Sequence, residues 1–177
     1  MQIEFEDISL KSWTLDDAPD LAFIANNKKI ADNLRDGFPN PYTYEDAINW
    51  LTSIIMINEP PRFFAILYGT KLAGSIGLSL KEDIYRKNGE IGYYVDEKLW
   101  GLGIATRAIK AITAYGFKQF DLERIYAEPF SDNIGSRKTL EKAGFRCEAV
   151  FRRNVIKNNI LKDSCIYSVL RDEYKFL

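Results

Sequence analysis

The first stretch of alternating apolar and polar positions covers residues 3–13 and predicts a strand with one buried face. Asp16-Asp17 then opens a helix: Pro19 suits a first turn, and Leu21, Ile24 and Ala25 follow at helical spacing. Two prolines in Gly37-Phe38-Pro39-Asn40-Pro41-Tyr42 predict a loop. A second helix starts at Thr43 or Tyr44, carries Ala47, Ile48, Leu51 and Ile55 on one face, and ends at Pro60-Pro61. The segment 62–68 is apolar on both faces, the mark of a central strand, and Gly69-Thr70 turns the chain into another. There Leu72, Gly74, Ile76, Leu78 and Leu80 are predicted to share one face, opposite the small residues Ala73, Ser75, Gly77 and Ser79.

A charged loop over 81–88 leads to a strand at 90–95. After the loop 96–101, Ile104, Ala105, Ala108, Ile109, Ile112 and Tyr115 trace one face of a long helix reaching about Phe120. Residues 124–128 read as a strand. Ser131 or Asp132 caps a helix to Ala143, with Gly144 as its stop. Strands at about 145–156 and 161–170 close the chain. The order β-α-α-β-β-β-α-β-α-β-β, without repeats or linkers, predicts one α/β domain over residues 1–177 built on a single sheet.

Composition narrows the chemistry. Apolar residues make up 46% and aromatics 14% of the 177 residues, enough for a packed core. No apolar run approaches the roughly 18 residues of a membrane helix, and the acidic start MQIEFEDISL does not read as a signal peptide. Together with two distant cysteines, Cys147 and Cys165, this predicts a reduced, cytoplasmic setting. Lys plus Arg is 24 and Asp plus Glu is 25, a formal net charge of −1 that gives no footprint for nucleic acid. The chain has no histidine, which excludes Ser-His-Asp and Cys-His hydrolases and His-ligated metals. Any base must be a carboxylate, a tyrosine, a chain terminus or water.

Two segments carry candidate chemistry. In Tyr94-Val95-Asp96-Glu97-Lys98-Leu99-Trp100-Gly101-Leu102-Gly103-Ile104-Ala105-Thr106 a strand runs through a glycine loop into a helix N-terminus. Free N–H groups and the helix dipole there favour an anion, and Gly101 and Gly103 let the backbone approach a phosphate. The same glycines also suit a helix that simply begins close to a sheet. The loop lacks the Gly-Lys-Ser/Thr of a Walker A motif and the third glycine of the dinucleotide fingerprint. In the second segment, Ser131 to Phe145, Asn133 and Ser136 share a face at a helix start, where capping alone would account for Asp132.

Together, in this order, the two segments resemble the acetyl-coenzyme A core of the GNAT superfamily. Its Arg/Gln-x-x-Gly-x-Gly/Ala loop is matched by Trp100-Gly101-Leu102-Gly103-Ile104-Ala105, with Trp100 at the Arg/Gln position. Its Asn-x-x-Ser…Glu-Lys-x-Gly-Phe stretch is matched by Asn133, Ser136, Glu141, Lys142, Gly144 and Phe145. Phe38 to Ala47 and Asp163…Tyr167 to Arg171 are similar to the ribosomal-protein-alanine N-acetyltransferase (RimJ/RimL-like) branch, so the resemblance covers nearly the whole chain.

The resemblance implies a mixed, mostly antiparallel sheet of about seven strands with helices on both faces. It implies a V-shaped split between the strands at 90–95 and 124–128 that takes acetyl-CoA as co-substrate, without a metal. Pantetheine would pair with backbone at Tyr94 and Val95, and the pyrophosphate would rest on the N–H groups of Gly101, Leu102, Gly103, Ile104, Ala105 and Thr106. Asn133 would hold the pantetheine arm. Dimers are common in that branch, so a homodimer is the implied assembly.

The implied reaction is direct attack of a primary amine on the thioester. Neutralising a lysine amine at pH 7 costs roughly 4–5 kcal/mol, and an α-amine about 1, so an α-amine needs only a weak base or a water chain. Glu90, at the start of the strand beside the split, is the candidate base, against the plainer reading of a solvent-facing carboxylate. Many GNAT enzymes carry a tyrosine acid where this chain has Leu140. Ser136 is the implied substitute, read as a hydrogen-bond donor to the leaving sulfur or as a pyrophosphate contact only. Phe38, Tyr42 and Tyr44 either wall the acceptor pocket or pack the loop. The preferred acceptor is a protein N-terminal α-amine. The alternatives are a small amine (polyamine, amino acid or antibiotic) and a coenzyme A-binding protein without turnover.

Overall fold

The computed structural model describes residues 1–57 and 59–175. Among them eight strands form one sheet in the order β1-β2-β3-β4-β5-β6-β8-β7. The strands are β1 (Gln2–Phe5), β2 (Ile8–Ser12), β3 (Phe63–Tyr68), β4 (Lys71–Leu80), β5 (Asn88–Val95), β6 (Arg124–Ala127), β7 (Arg146–Lys157) and β8 (Ile160–Leu170). The helices are α1 (Ala18–Ala25), the single turn α2 (Lys28–Ala31), α3 (Tyr44–Ile57), α4 (Ile104–Gln119) and α5 (Ile134–Lys142). No helix among the described residues is long and apolar enough to cross a membrane.

Three expectations are corrected. The strand predicted at 3–13 is a hairpin, because Glu6-Asp7 turns the chain between Phe5 and Ile8, which pair. Glu6 makes that turn at φ 55 without the Gly or Asn that normally signals it. A bulge also interrupts β4. Ile66 pairs with Gly74 but Leu67 with Leu72, so Ala73 is the extra residue and the side-chain alternation slips by one. Leu72 therefore packs on the α1/α3 side while Ile76, Leu78 and Leu80 pack under α4. Third, α5 is capped by Asn133, whose Oδ1 accepts from the Ser136 N–H at 3.0 Å, and not by Ser131 or Asp132.

Each face of the sheet has its own core. On one, the apolar stripe of α4 (Ile104, Ala108, Ile109, Ile112) buries against Leu10, Phe64, Ile66, Ile76 and Leu78. On the other, Leu21 of α1 and Ala47 and Leu51 of α3 close over Trp13 and Ala65. Gly74 lies close against β5, where any Cβ would clash with the Tyr94 carbonyl oxygen.

The feature that positions the site is the one parallel pairing. β5 and β6 are in register only over Asn88–Glu90 with Arg124–Tyr126. β4 continues to pair with β5 as far as Val95. Beyond Glu90, then, β5 keeps a partner on one edge and, among the described strands, has none on the other. Its backbone groups there face an opening between the two halves of the sheet.

Candidate active site

That opening is a cleft of about 1420 Å³. Its walls are β5, the loop into α4, the end of β6, the start of α5, and the segment 33–42. Of the residues singled out from sequence, Phe38, Tyr42, Glu90, Tyr94, Val95, Trp100, Gly101, Gly103, Ile104, Ala105, Thr106, Asn133 and Ser136 all line it. Leu102 and Tyr44 do not, and both side chains are exposed.

At one end the chain turns through Gly101 (φ 83) and Gly103 (φ 74), both in the left-handed region that disfavours side chains. Gly103 is the N-cap of α4, and the first bond inside the helix runs from the Arg107 N–H to the Gly103 carbonyl at 3.1 Å. The N–H groups of Ile104, Ala105 and Thr106 precede it and point out of the helix end. No acidic residue sits in the first turn to occupy them. The Trp100 indole N–H donates to the Val95 carbonyl at 2.8 Å. It ties the loop back to the end of β5.

Tyrosines 93 and 94 point to opposite sides of β5. Tyr94 meets Phe38 edge-on at 5.4 Å between ring centres, and Phe38 lies 4.9 Å from Tyr42. These rings form an aromatic wall; burial pushes the Tyr94 phenol up strongly and takes that of Tyr42 to about 12. Tyr93 faces α5, with its hydroxyl oxygen 2.8 Å from Ser136 Oγ. Leu140, where many related enzymes carry a tyrosine, is fully buried in the α4-side core.

Glu90 sits at the apex of the split, half-buried and doubly paired. Lys81 Nζ lies 2.5 Å from its Oε2, Arg35 bonds its Oε1, and the Tyr126 hydroxyl donates to it at 3.3 Å. Burial alone would push the Glu90 carboxyl up, but Lys81 and Arg35 together hold it below the usual carboxylate range. A carboxylate so held is a weak proton acceptor, and this pairing argues against the base role expected of it.

The other four carboxylates that line the cleft also hold donors. Asp36 pairs with Lys157 at 2.8 Å, Asp132 with Lys162 at 2.7 Å, and Asp46 caps Thr43. Glu128 accepts from Ser164 Oγ at 2.7 Å and from Asn154.

Sequence reasoning missed Tyr93, Arg35, Lys81 and Tyr126. The alternation of β5 carried a signal for Tyr93, since a tyrosine doublet in a strand must send one ring to each face. Nothing local marked Arg35.

Comparison with known proteins agrees with this geometry. Residues 7–146 match the acetyltransferase (GNAT) domain family. YoaA of Bacillus subtilis (strain 168), an uncharacterized N-acetyltransferase, is 30% identical over 141 residues, 76% of this chain and 78% of its own. The ribosomal-protein-serine acetyltransferase of Escherichia coli (strain K12) is 27% identical over 130 residues, 72% of each chain. The solved structure of RimL, a ribosomal L7/L12 alpha-N-protein acetyltransferase in complex with coenzyme A, has the same fold, with a TM-score of 0.87. It is 20% identical and the match covers 98% of this chain and 99% of that one. The chain belongs to the GNAT acetyltransferase family and is an acetyl-CoA-dependent N-acetyltransferase.

Proposed function

We propose that this GNAT acetyltransferase moves the acetyl group of acetyl-CoA by direct transfer onto the N-terminal α-amine of a protein. The chain would act as a single domain over residues 1–177, in the cytoplasm and as a homodimer. The observation that carries the reading is the state of the cleft's carboxylates: all five already hold donors, and the chain has no histidine. A site without a strong free base suits an amine that needs little deprotonation. At pH 7 an α-amine costs about 1 kcal/mol to neutralise and a lysine or polyamine amine roughly 4–5. The likeness to ribosomal-protein acetyltransferases points the same way.

In this reading the pyrophosphate rests on the open N–H groups of Ile104, Ala105 and Thr106, with Gly101 and Gly103 clearing its approach. Pantetheine lies along the free edge of β5 at Tyr94 and Val95. Asn133 spends its Oδ1 on the helix cap and has its Nδ2 for the pantetheine arm. The sulfur lies against Ser136, and the aromatic wall of Phe38, Tyr42 and Tyr94 receives the acceptor. Water carries the amine's proton away, and Glu90 attracts the amine as an ammonium ion.

The test is release of coenzyme A thiol with peptides that start with Ala or Ser, set against free lysine and spermidine. Turnover with the peptides supports the reading, and turnover with the small amines alone overturns it. Glu90→Gln tests the finer assignment. The Glu90 carboxyl is held below its usual range, so it stays ionised through neutral pH and has no proton equilibrium near 7 to shape the rate. The variant leaves Lys81 and Arg35 without their counter-charge. It should raise KM for the peptide about three- to tenfold, by repulsion of the ammonium, and leave kcat within about twofold from pH 7 to 9. A kcat loss confined to neutral pH would restore Glu90 as the base.

A further inference from the structure

Tyr93 has no role in the reading above, although its bond to Ser136 joins the two walls of the cleft. Tyr93 projects from β5 and Ser136 from the first turn of α5, and both line the cleft. Their oxygens are 2.8 Å apart, a full hydroxyl–hydroxyl hydrogen bond. Each hydroxyl carries one proton, so the direction of the bond decides what Ser136 can do next.

Two arguments set that direction. A phenol is a stronger acid than an alkyl hydroxyl and so the better donor. The other acceptor within reach of Tyr93 is the Ser136 carbonyl at 3.4 Å, too long to compete with Oγ. Burial takes the Tyr93 phenol to about 12, so its proton stays in place. With Tyr93 donating to Oγ, the Ser136 proton is turned away from Tyr93. The chain Tyr93 O–H to Ser136 O–H then polarises along its length.

We propose that Tyr93 is a positioning residue for the acetyl-transfer step: it fixes the Ser136 hydroxyl so that its proton faces the departing sulfur. The amine nitrogen bonds the thioester carbon, and the C–S bond then breaks with its electron pair on sulfur. The Ser136 O–H donates a hydrogen bond to that thiolate and keeps its proton. The proton shed by nitrogen passes through water and ends on sulfur. Tyr93 thereby supports from the strand side the leaving-group stabilisation that a tyrosine at position 140 supplies in many related enzymes. The inference rests on the reading that the sulfur lies against Ser136.

The test needs no acceptor. Coenzyme A is bound to the wild-type protein, Tyr93→Phe and Ser136→Ala, and binding is confirmed by thermal shift. The ionisation of its thiol is then followed by ultraviolet thiolate absorbance against pH. Other charged groups bordering this part of the cleft (Glu128, Asp132, Lys138 and Lys142) are common to all three proteins and cancel in the comparison. The bound thiol in wild type is expected to titrate roughly one to two pH units below the free value of about 8.5. Ser136→Ala should return it to the free value, and Tyr93→Phe should lose at least half of the shift. A Tyr93→Phe titration that superimposes on wild type, while Ser136→Ala shifts, overturns the role of Tyr93 alone. If neither variant shifts, the sulfur is not at Ser136 and the assignment beneath the inference falls with it.

Discussion

Gly103→Trp is expected to abolish the thermal stabilisation that coenzyme A gives the wild-type protein. Gly103 caps α4 at φ 74, and the open N–H groups of the next three residues are the proposed anion site. A Cβ there would already meet Arg107 Nη1 at 3.1 Å, and the Arg107 guanidinium is held by Asp7 at 2.7 Å. An indole added beyond that Cβ takes the approach that a phosphate needs. The affinity for coenzyme A should fall by more than roughly 100-fold, or about 2.7 kcal/mol. The substitution also places a side chain in the left-handed region, which costs about 1–2 kcal/mol of stability in the ligand-free protein.

Gly101→Ala separates the two effects. Gly101 has φ 83 with nothing within 4 Å of its would-be Cβ, so alanine meets the same backbone strain without filling the approach. It should lower the ligand-free midpoint by a few degrees and keep coenzyme A binding within about tenfold of wild type. Isothermal titration of both variants checks this. A Gly103→Trp protein that still binds coenzyme A would remove the pyrophosphate from this loop.

What the sequence made legible follows from how local each signal was. The glycine loop and its helix were readable because the chain turns there through left-handed φ at Gly101 and Gly103, a conformation that favours glycine. The long amphipathic α4 and the alternation of β5 were readable for a similar reason: the period is written in consecutive residues. The hairpin at Glu6-Asp7 and the bulge at Ala73 were not, since one turn lacks its usual residues and the other slip is set by the neighbouring strand.

Side-chain partnerships were the least legible. Arg35 reaches Glu90 across 55 positions, and Tyr93 reaches Ser136 across 43. Sequence alone gave Glu90 as a lone carboxylate beside a cleft, which is how a general base looks. Only the packed structure brings Lys81 and Arg35 against it and holds its carboxyl below the usual range.

A comparable long-range contact holds the helix that carries the proposed phosphate site, and it supports the second large prediction. Arg171 follows the last strand, and its guanidinium spans three carbonyls at and just beyond the far end of α4. Nε donates to Leu122 at 2.7 Å, Nη1 to Phe117 at 2.7 Å and Nη2 to Phe120 at 3.0 Å, with the group 5.4 Å over the Phe117 ring. The end of a helix leaves carbonyls unpaired and carries partial negative charge, so a planar cation with several donors meets both needs. Arg171→Ala should cost about 3 kcal/mol, because the partly buried carbonyls lose charge-assisted bonds that water does not fully replace. For a chain of this size that lowers the thermal midpoint by about 6–12 °C. Arg171→Lys should recover less than half, since one ammonium cannot reach three divergent carbonyls as the guanidinium fork does. Coenzyme A affinity measured well below the midpoint should stay within about twofold in both variants, because the 16 residues of α4 set the phosphate end about 24 Å away. An unchanged midpoint in Arg171→Ala would mean that water satisfies those carbonyls unaided. A loss of coenzyme A affinity as large as that of Gly103→Trp would mean that α4 shifts as a rigid body when its far end is released.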